Sequence, residues 1–320
     1  MEVGAREWLR LLREEYLDDF VRAGGAAVKF AVVADPDAGG DLLARVESIA
    51  EELGYRVARV DAARLRVHMM QDVFHAVARR MPWQEMARAF VRGFYEGRRL
   101  AIPGSGSLLI EDVGVVNGLD PAFLRLELSR ELQRLLGRGE RLAKDFRMAM
   151  LWLCIEVATH RGDESADARA VLDWLRGDLR LVSSMRRLSI FRRIGRHNAR
   201  AMLTSLAAWC RMTGSAGLVV TLDIRQVLIA RRADVAPDSV YYTAAAAMDA
   251  YEVLRQLIDS TDELEGVLCA VLAAPGLFED ERRGVRVYKA LYERVWPDVR
   301  LRSRANPLSS LAQLDGGAEG

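Results

Sequence analysis

Residues 27–61 read AVKFAVVADPDAGGDLLARVESIAEELGYRVARVD, and the fold class turns on that stretch. Residues 27–34 are almost all apolar and rich in valine, as a central strand covered on both faces must be. Asp35, Pro36 and Asp37 then read as a loop. Residues 42–53 carry helical periodicity up to Gly54, and residues 55–61 alternate as a second strand. Strand, loop, helix and strand in so short a span make a βαβ unit, which implies a parallel sheet with a crossover connection.

Outward from that unit the pattern repeats with a long interruption. Residues 7–22 form an amphipathic helix through Leu9, Leu12, Leu17 and Val21, ending before Gly24 and Gly25. Helices are expected at 67–80, 83–95, 121–136, 142–159 and 167–175, with a loop at 102–118 containing Pro103, Gly104, Ser105, Gly106 and Ser107. Residues 198–212 are a further helix, with Asn198 as its cap and Gly214 at its end. GLVVTLD at 217–223 and GVLCAVLAA at 266–274 are buried strands, with a helix at 243–259 between them. The expected class is therefore α/β: a mostly parallel, doubly wound sheet flanked by helices, with a helical insertion. Residues 1–100 and 181–300 form the two halves of the core, 101–180 the insertion, and 301–320 a flexible tail rich in glycine.

Composition removes several classes of function. The chain has 51% apolar and 28% charged residues and a formal net charge of +1, the balance of an ordinary globular protein with no bulk preference for polyanions. No apolar run approaches the ~20 residues that span a bilayer, and the amino terminus has no signal-peptide pattern, so a cytoplasmic location is expected. Cys154, Cys210 and Cys269 are widely spaced in apolar contexts and read as buried thiols. His68, His75, His160 and His197 lack metal-ligand spacing, so no metal site is expected. No serine or cysteine nucleophile stands beside a base, and no paired carboxylates suggest a hydrolase.

The stretch after the first strand occupies the place of a phosphate loop. Such a loop reads GxxxxGK[ST], because bare amides wrap phosphate, lysine neutralises it and a hydroxyl holds magnesium. Here the residues are Ala34-Asp35-Pro36-Asp37-Ala38-Gly39-Gly40-Asp41. Gly39 or Gly40 stands where lysine is required, and Gly40 or Asp41 where serine or threonine is required. Three aspartates would face a polyphosphate, and Pro36 has no amide to offer. Asp223, closing GLVVTLD, matches the magnesium-orienting acid of an ATPase strand, but Ile224 follows where a water-polarising glutamate belongs. Ala38, Gly39, Gly40, Asp41 and Asp223 are thus the candidate nucleotide site, in vestigial form. Each alone has an ordinary structural explanation, a small residue at a turn or an acid capping a strand.

In these and other segments the chain resembles the ATP-binding P-loop proteins of bacteriophage exclusion (BREX) and related bacterial defence islands. The resemblance runs from about Trp8 to about Trp296. It rests on Glu15-Tyr16-Leu17, on Gly24-Gly25-Ala26-Ala27-Val28-Lys29-Phe30, on Arg66-Val67-His68-Met69 and on Leu175-Arg176-Gly177. It continues through Asn198-Ala199-Arg200-Ala201-Met202-Leu203, Ser215-Ala216-Gly217-Leu218-Val219-Val220, Tyr251, Leu254-Arg255-Gln256, Ala274-Pro275-Gly276 and Tyr288-Lys289-Ala290-Leu291. It implies a P-loop NTPase-like fold, a role in antiphage defence, and partners such as a helicase or sister ATPase subunits of the same island. It also implies ATP as ligand, but the departures at the phosphate loop and after Asp223 point to a degenerate, non-hydrolysing member. No resident cofactor is then expected; ATP with magnesium enters only under the alternative of an active enzyme with an unusual loop, using Asp223 for metal and Lys29 or an arginine for phosphate.

One further cluster stands out. Arg176, Arg180, Arg186, Arg187, Arg192, Arg193, Arg196 and Arg200 are opposed locally only by Asp178. They form either a solvated, internally paired face or a contact for DNA or a neighbouring subunit, with Arg186, Arg187, Arg192, Arg193, Arg196 and Arg200 as the candidates. Trp152, Trp174 and Trp209, with Met148 and Met150, read as helix-packing residues.

Overall fold

The computed structural model describes residues 3–137, 142–296, 308 and 310–314. The chain divides into two units, Met1–Arg80 with Ser215–Gly320, and Met81–Gly214. The helical unit therefore takes in more sequence on both sides than residues 101–180.

In the first unit, α1 (Ala5–Leu11) runs into a π-helical stretch (Leu12–Phe20), followed by β1 (Ala26–Val33), α2 (Pro36–Glu52), β2 (Arg56–Asp61) and α3 (Met70–Arg80). The expected amphipathic helix thus changes its winding midway: the Val21 amide donates to Tyr16 O at 2.7 Å and the Gly25 amide to Phe20 O at 2.8 Å. The Phe20 ring lies so close over Gly25 that a Cβ there would meet it at 2.5 Å.

The second unit holds α4 (Trp83–Gly97), α5 (Ile110–Asn117), α6 (Pro121–Gly137), α7 (Lys144–Thr159), α8 (Ala166–Arg176), a 3-10 turn (Val182–Leu188) and α9 (Ala199–Met212). The first unit resumes with β3 (Leu218–Asp223), α10 (Ala244–Asp259), β4 (Val267–Ala273), α11 (Gly276–Glu279), α12 (Lys289–Val295) and β5 (Leu311–Leu314).

The five strands form one sheet in the order β2-β3-β4-β1-β5, and every pairing is parallel. β4 is buried along its whole length and β1 over its last six residues, so both read as apolar runs rather than alternations. One face of β1, with Ala31 and Val33, packs against Leu9, Leu12, Leu17, Leu42, Leu43 and Val46 of α1, the π-helical stretch and α2. Each fully buried residue of that size contributes roughly 1.5–3 kcal/mol. A tight point fixes the start of β3: a Cβ on Gly217 would lie 2.1 Å from the Gly266 carbonyl.

Several sequence expectations are corrected. The stretch 301–320 is not all tail: Leu311–Leu314 pairs with Phe30–Val33 of β1, and Val3 bridges to Leu314. Residues 301–307, 309 and 315–320 lie outside the described residues. The loop at 102–118 contains α5, where Ile110 and Val113 are buried and Gly118 closes the helix at φ 64°. Asn198 makes no cap bond with α9; its Oδ1 instead accepts from the Gly195 amide at 2.7 Å.

In the second unit α4 and α7 pack directly on each other. The core includes Trp83 edge-on to Phe146 and Phe90 stacked on Trp209 at 5.0 Å. Two other indoles do more than fill space: Trp152 donates to Leu188 O at 3.1 Å and Trp174 to Arg192 O at 2.8 Å.

Candidate functional site: the carboxyl edge of the sheet

In an open parallel sheet, ligands bind beyond the carboxyl ends of the strands, where the chain reverses its order. Here β1 lies between β4 and β5, and the chain leaves it for β2 at the far edge of the sheet before returning through β3 and β4. Register places Asp61 of β2 beside Asp223 of β3, and Asp223 beside Leu272 of β4. Next along this edge, β1 runs out into Ala34 and Asp35.

The expected phosphate loop is not a loop. Only Ala34 and Asp35 separate β1 from α2, because Pro36 opens the helix rather than breaking the chain. Proline suits the first helical position, where its missing donor has no partner to lose. Asp35 is the cap: its Oδ1 accepts from the Asp37 amide at 2.9 Å, and its carbonyl accepts from the Gly39 amide at 3.1 Å. Gly39 and Gly40 are therefore helical residues, and no run of unbonded amides curls between strand and helix.

The space such a loop would surround is crossed by a side chain that sequence reading passed over. After Asp223, Ile224 continues the edge by donating to Leu272 O, and the chain enters a 3-10 turn at Arg225–Leu228. Arg225 folds back. Its Nε lies 3.0 and 3.2 Å from the two Asp223 carboxylate oxygens, and its Nη2 lies 2.7 Å from Oδ2. Its Nη1 donates to the Pro36 carbonyl at 2.6 Å. Both side chains are three-quarters or more covered. The hydrogen bonds to Asp223, with the charges of Asp223, Asp61 and Asp37, hold the guanidinium above its already high range.

Of the five predicted nucleotide-site residues, the structure gathers Gly39 and Asp223 around this guanidinium. A Cβ on Gly39 would sit 3.0 Å from Arg225 Nη1 and 3.1 Å from Leu272. Ala38 packs against the core, a Cβ on Gly40 would meet nothing, and Asp41 is exposed. Lys29 does not reach this edge. It is 6% exposed, donates to Leu308 O at 2.6 Å and lies over the Tyr16 ring at 4.1 Å, so its part in the active-enzyme alternative is corrected.

A second overlooked arginine fixes the loop that carries the first. Arg283 is 6% exposed and donates to the carbonyls of Val227 at 3.2 Å, Ile229 at 2.9 Å and Tyr242 at 2.8 Å. Tyr242 in turn donates to Leu65 O at 2.6 Å. Gly284 permits this arrangement, since a Cβ there would lie 2.3 Å from Asp280 O. One signal for Arg225 was available in sequence: an arginine two residues after a strand-ending aspartate can fold back on it.

The other candidate residues lie in the second unit. Arg180, Arg186, Arg187, Arg192, Arg193, Arg196 and Arg200 are exposed, and Arg176 is half-buried. Arg187 pairs with Asp167, and Arg193 donates to Arg180 O. His68 packs edge-on to Tyr242 and His75 to Phe74. The three cysteines are buried and free, and burial pushes the Cys269 thiol up to about 12. Among the described residues no group of His, Cys, Asp or Glu could hold a metal ion, and no helix is long and apolar enough to cross a membrane.

Sheet order and site location define an α/β protein with a P-loop NTPase-like core, carrying a helical unit between α3 and β3. The chain belongs to the family of BREX system ATP-binding proteins BrxC/D, whose profile matches residues 122–316. The matched region includes Asp223, Arg225 and Arg283 and begins after β1 and α2. Among curated proteins and solved structures none matches the chain.

Proposed function

We propose that this chain serves a BREX antiphage system as a P-loop-like subunit that does not turn over ATP and acts by binding other proteins of the system. A helicase or sister ATPase subunits are the partners expected from the family, in the cytoplasm of a bacterium. The observation that carries the reading is the Arg225 guanidinium, bonded at once to Asp223 and to the first turn of α2.

The residues at this edge do not fit a magnesium nucleotide. Phosphoryl transfer depends on a mobile lysine, a magnesium-binding hydroxyl and a carboxylate open to metal. Here Gly39 and Gly40 stand inside a helix, no serine or threonine stands in its first turn, and both Asp223 oxygens accept from Arg225. A built-in cation neutralises the acid that magnesium would otherwise require, and it does so without leaving the chain. Phosphate release from Mg-ATP, measured on the purified protein, should equal that of Asp223→Ala, at background. Turnover that disappears in Asp223→Ala refutes the reading.

The exposed arginines of the second unit support a second reading, in which this face binds nucleic acid without sequence preference. Phosphate contacts release counterions, so duplex affinity should fall steeply with salt. A flat salt dependence removes that reading.

A further inference from the structure

We propose that residues 177–198 of the helical unit form a surface for single-stranded nucleic acid, on which Phe191 stacks against bases while neighbouring arginines hold phosphates. This rests on the second reading above and narrows it to one kind of strand.

The segment has little regular structure, yet it is held firmly. Met185, Leu188, Ile190 and Ile194 are buried at 6% exposure or less. Trp152 and Trp174 donate their indole N–H groups to the backbone carbonyls of Leu188 and Arg192. Asn198 accepts from the Gly195 amide and donates to Arg193 O at 3.2 Å, closing the far end. Ser189 takes a left-handed conformation at φ 60°, a turn that non-glycine residues seldom make, and Ile190 beyond it is buried. The backbone is thus fixed before any ligand arrives, which lowers the ordering cost of binding.

What this frame presents outward is specific. Phe191 is 55% exposed and Leu181 68%, while Arg180, Arg186, Arg192 and Arg196 are exposed in the same stretch. From 176 to 200 the only acidic residue is Asp178. Acidic side chains from outside the stretch do meet it, Asp167 pairing with Arg187 and Asp145 lying within electrostatic reach of Arg192. The arginines outnumber them, and that surplus suits a partner that brings one negative charge per repeat unit, as a phosphodiester strand does. The exposed ring then discriminates between strands. In a duplex the base faces are already stacked on one another, so a ring has only phosphates and groove edges to meet. In a single strand each base offers a free π-face, and aromatic side chains set among basic residues are the usual platform for it.

The test is fluorescence anisotropy on the full chain, with a labelled thymidine oligonucleotide and a duplex of equal length, from about 50 to 200 mM salt. The thymidine strand should bind more tightly. Phe191→Ala should weaken it about tenfold, leave duplex binding unchanged and keep the salt slope. The Arg186→Ala, Arg192→Ala, Arg196→Ala triple variant should weaken both ligands and reduce the single-strand slope by about 2. Indifference of the single strand to Phe191→Ala overturns the proposal. If strand and duplex bind equally and respond only to the arginine changes, the basic-face reading stands and the stacking inference fails. If neither binds at the lowest salt, both readings fail.

Discussion

In the first unit, Arg225 and Arg283 commit their donors inward: one to Asp223 and the Pro36 carbonyl, the other to three backbone carbonyls of the loop that follows β3. In the second unit, Arg180, Arg186 and Arg192 stand exposed on a backbone fixed by neighbouring indoles, while Arg187 pairs with Asp167 and Arg193 donates to Arg180 O. The side chain is the same and the surroundings decide its work. A buried or half-buried guanidinium must have every donor answered, because leaving it unpaired costs far more than a normal hydrogen bond contributes. An exposed one pays no such penalty and contributes little to stability. Its charge stays available to a partner. On the proposed reading, the inward arginines close the carboxyl edge of the sheet to nucleotide and the outward ones leave the helical unit open to a partner.

That contrast predicts a ladder of stability effects. The largest belongs to Arg283→Ala, which strands three covered carbonyls and releases the loop carrying Arg225; a loss of about 3 kcal/mol is expected in denaturant unfolding. A loss below about 0.5 kcal/mol would mean that the loop holds itself.

Next comes Glu252, in the network joining α10 to α12. Hydrogen bonds from Arg255, then from Tyr288 and Gln256, hold its carboxyl down to about 2 from an ordinary value of 4.5. A folded pKa below the unfolded one contributes stability that is complete above about pH 4.5 and is lost as pH falls toward 2. Glu252→Gln should cost about 2 kcal/mol at neutral pH, after discounting for solvent contact, and should flatten the acid limb of the unfolding curve. An acid limb unchanged by the substitution would show that the network carries no such weight.

Arg225→Ala follows, with an expected loss of about 1–2 kcal/mol for a half-buried charged hydrogen-bond group. Circular dichroism should show an intact fold, since Asp223 is not fully enclosed. The smallest change belongs to Arg192→Ala, which should stay within about 0.5 kcal/mol of the parent. A large destabilisation there would place that arginine among the structural ones and erase the contrast.

How much was legible beforehand follows from what each element buries. β1, β3 and β4 announce themselves because both faces are covered and their sequences are continuous apolar runs. Their spatial order does not, since nothing local distinguishes a strand beside its predecessor from one three places away. β5 was missed because four residues in a glycine-bearing stretch carry too little pattern; pairing with Phe30–Val33 makes it a strand. The start of α2 was misplaced because proline breaks a helix interior and opens a helix end, and only the Asp35 cap decides which. The same misplacement made a loop out of the helix's first turn. Asp223 was found from its position at a strand end. Arg225 carries no such mark, because its role depends on folding back across the strand end to Asp223 and the Pro36 carbonyl, and the second contact is one that no local pattern encodes.

The most direct measurement is calorimetric titration of Mg-ATP into the purified chain. The occupied carboxyl edge predicts no saturable heat up to millimolar nucleotide, in the parent protein and in Asp223→Ala alike. Micromolar binding that Asp223→Ala abolishes would mean that nucleotide displaces Arg225 from its carboxylate, and the account of a closed site would be wrong.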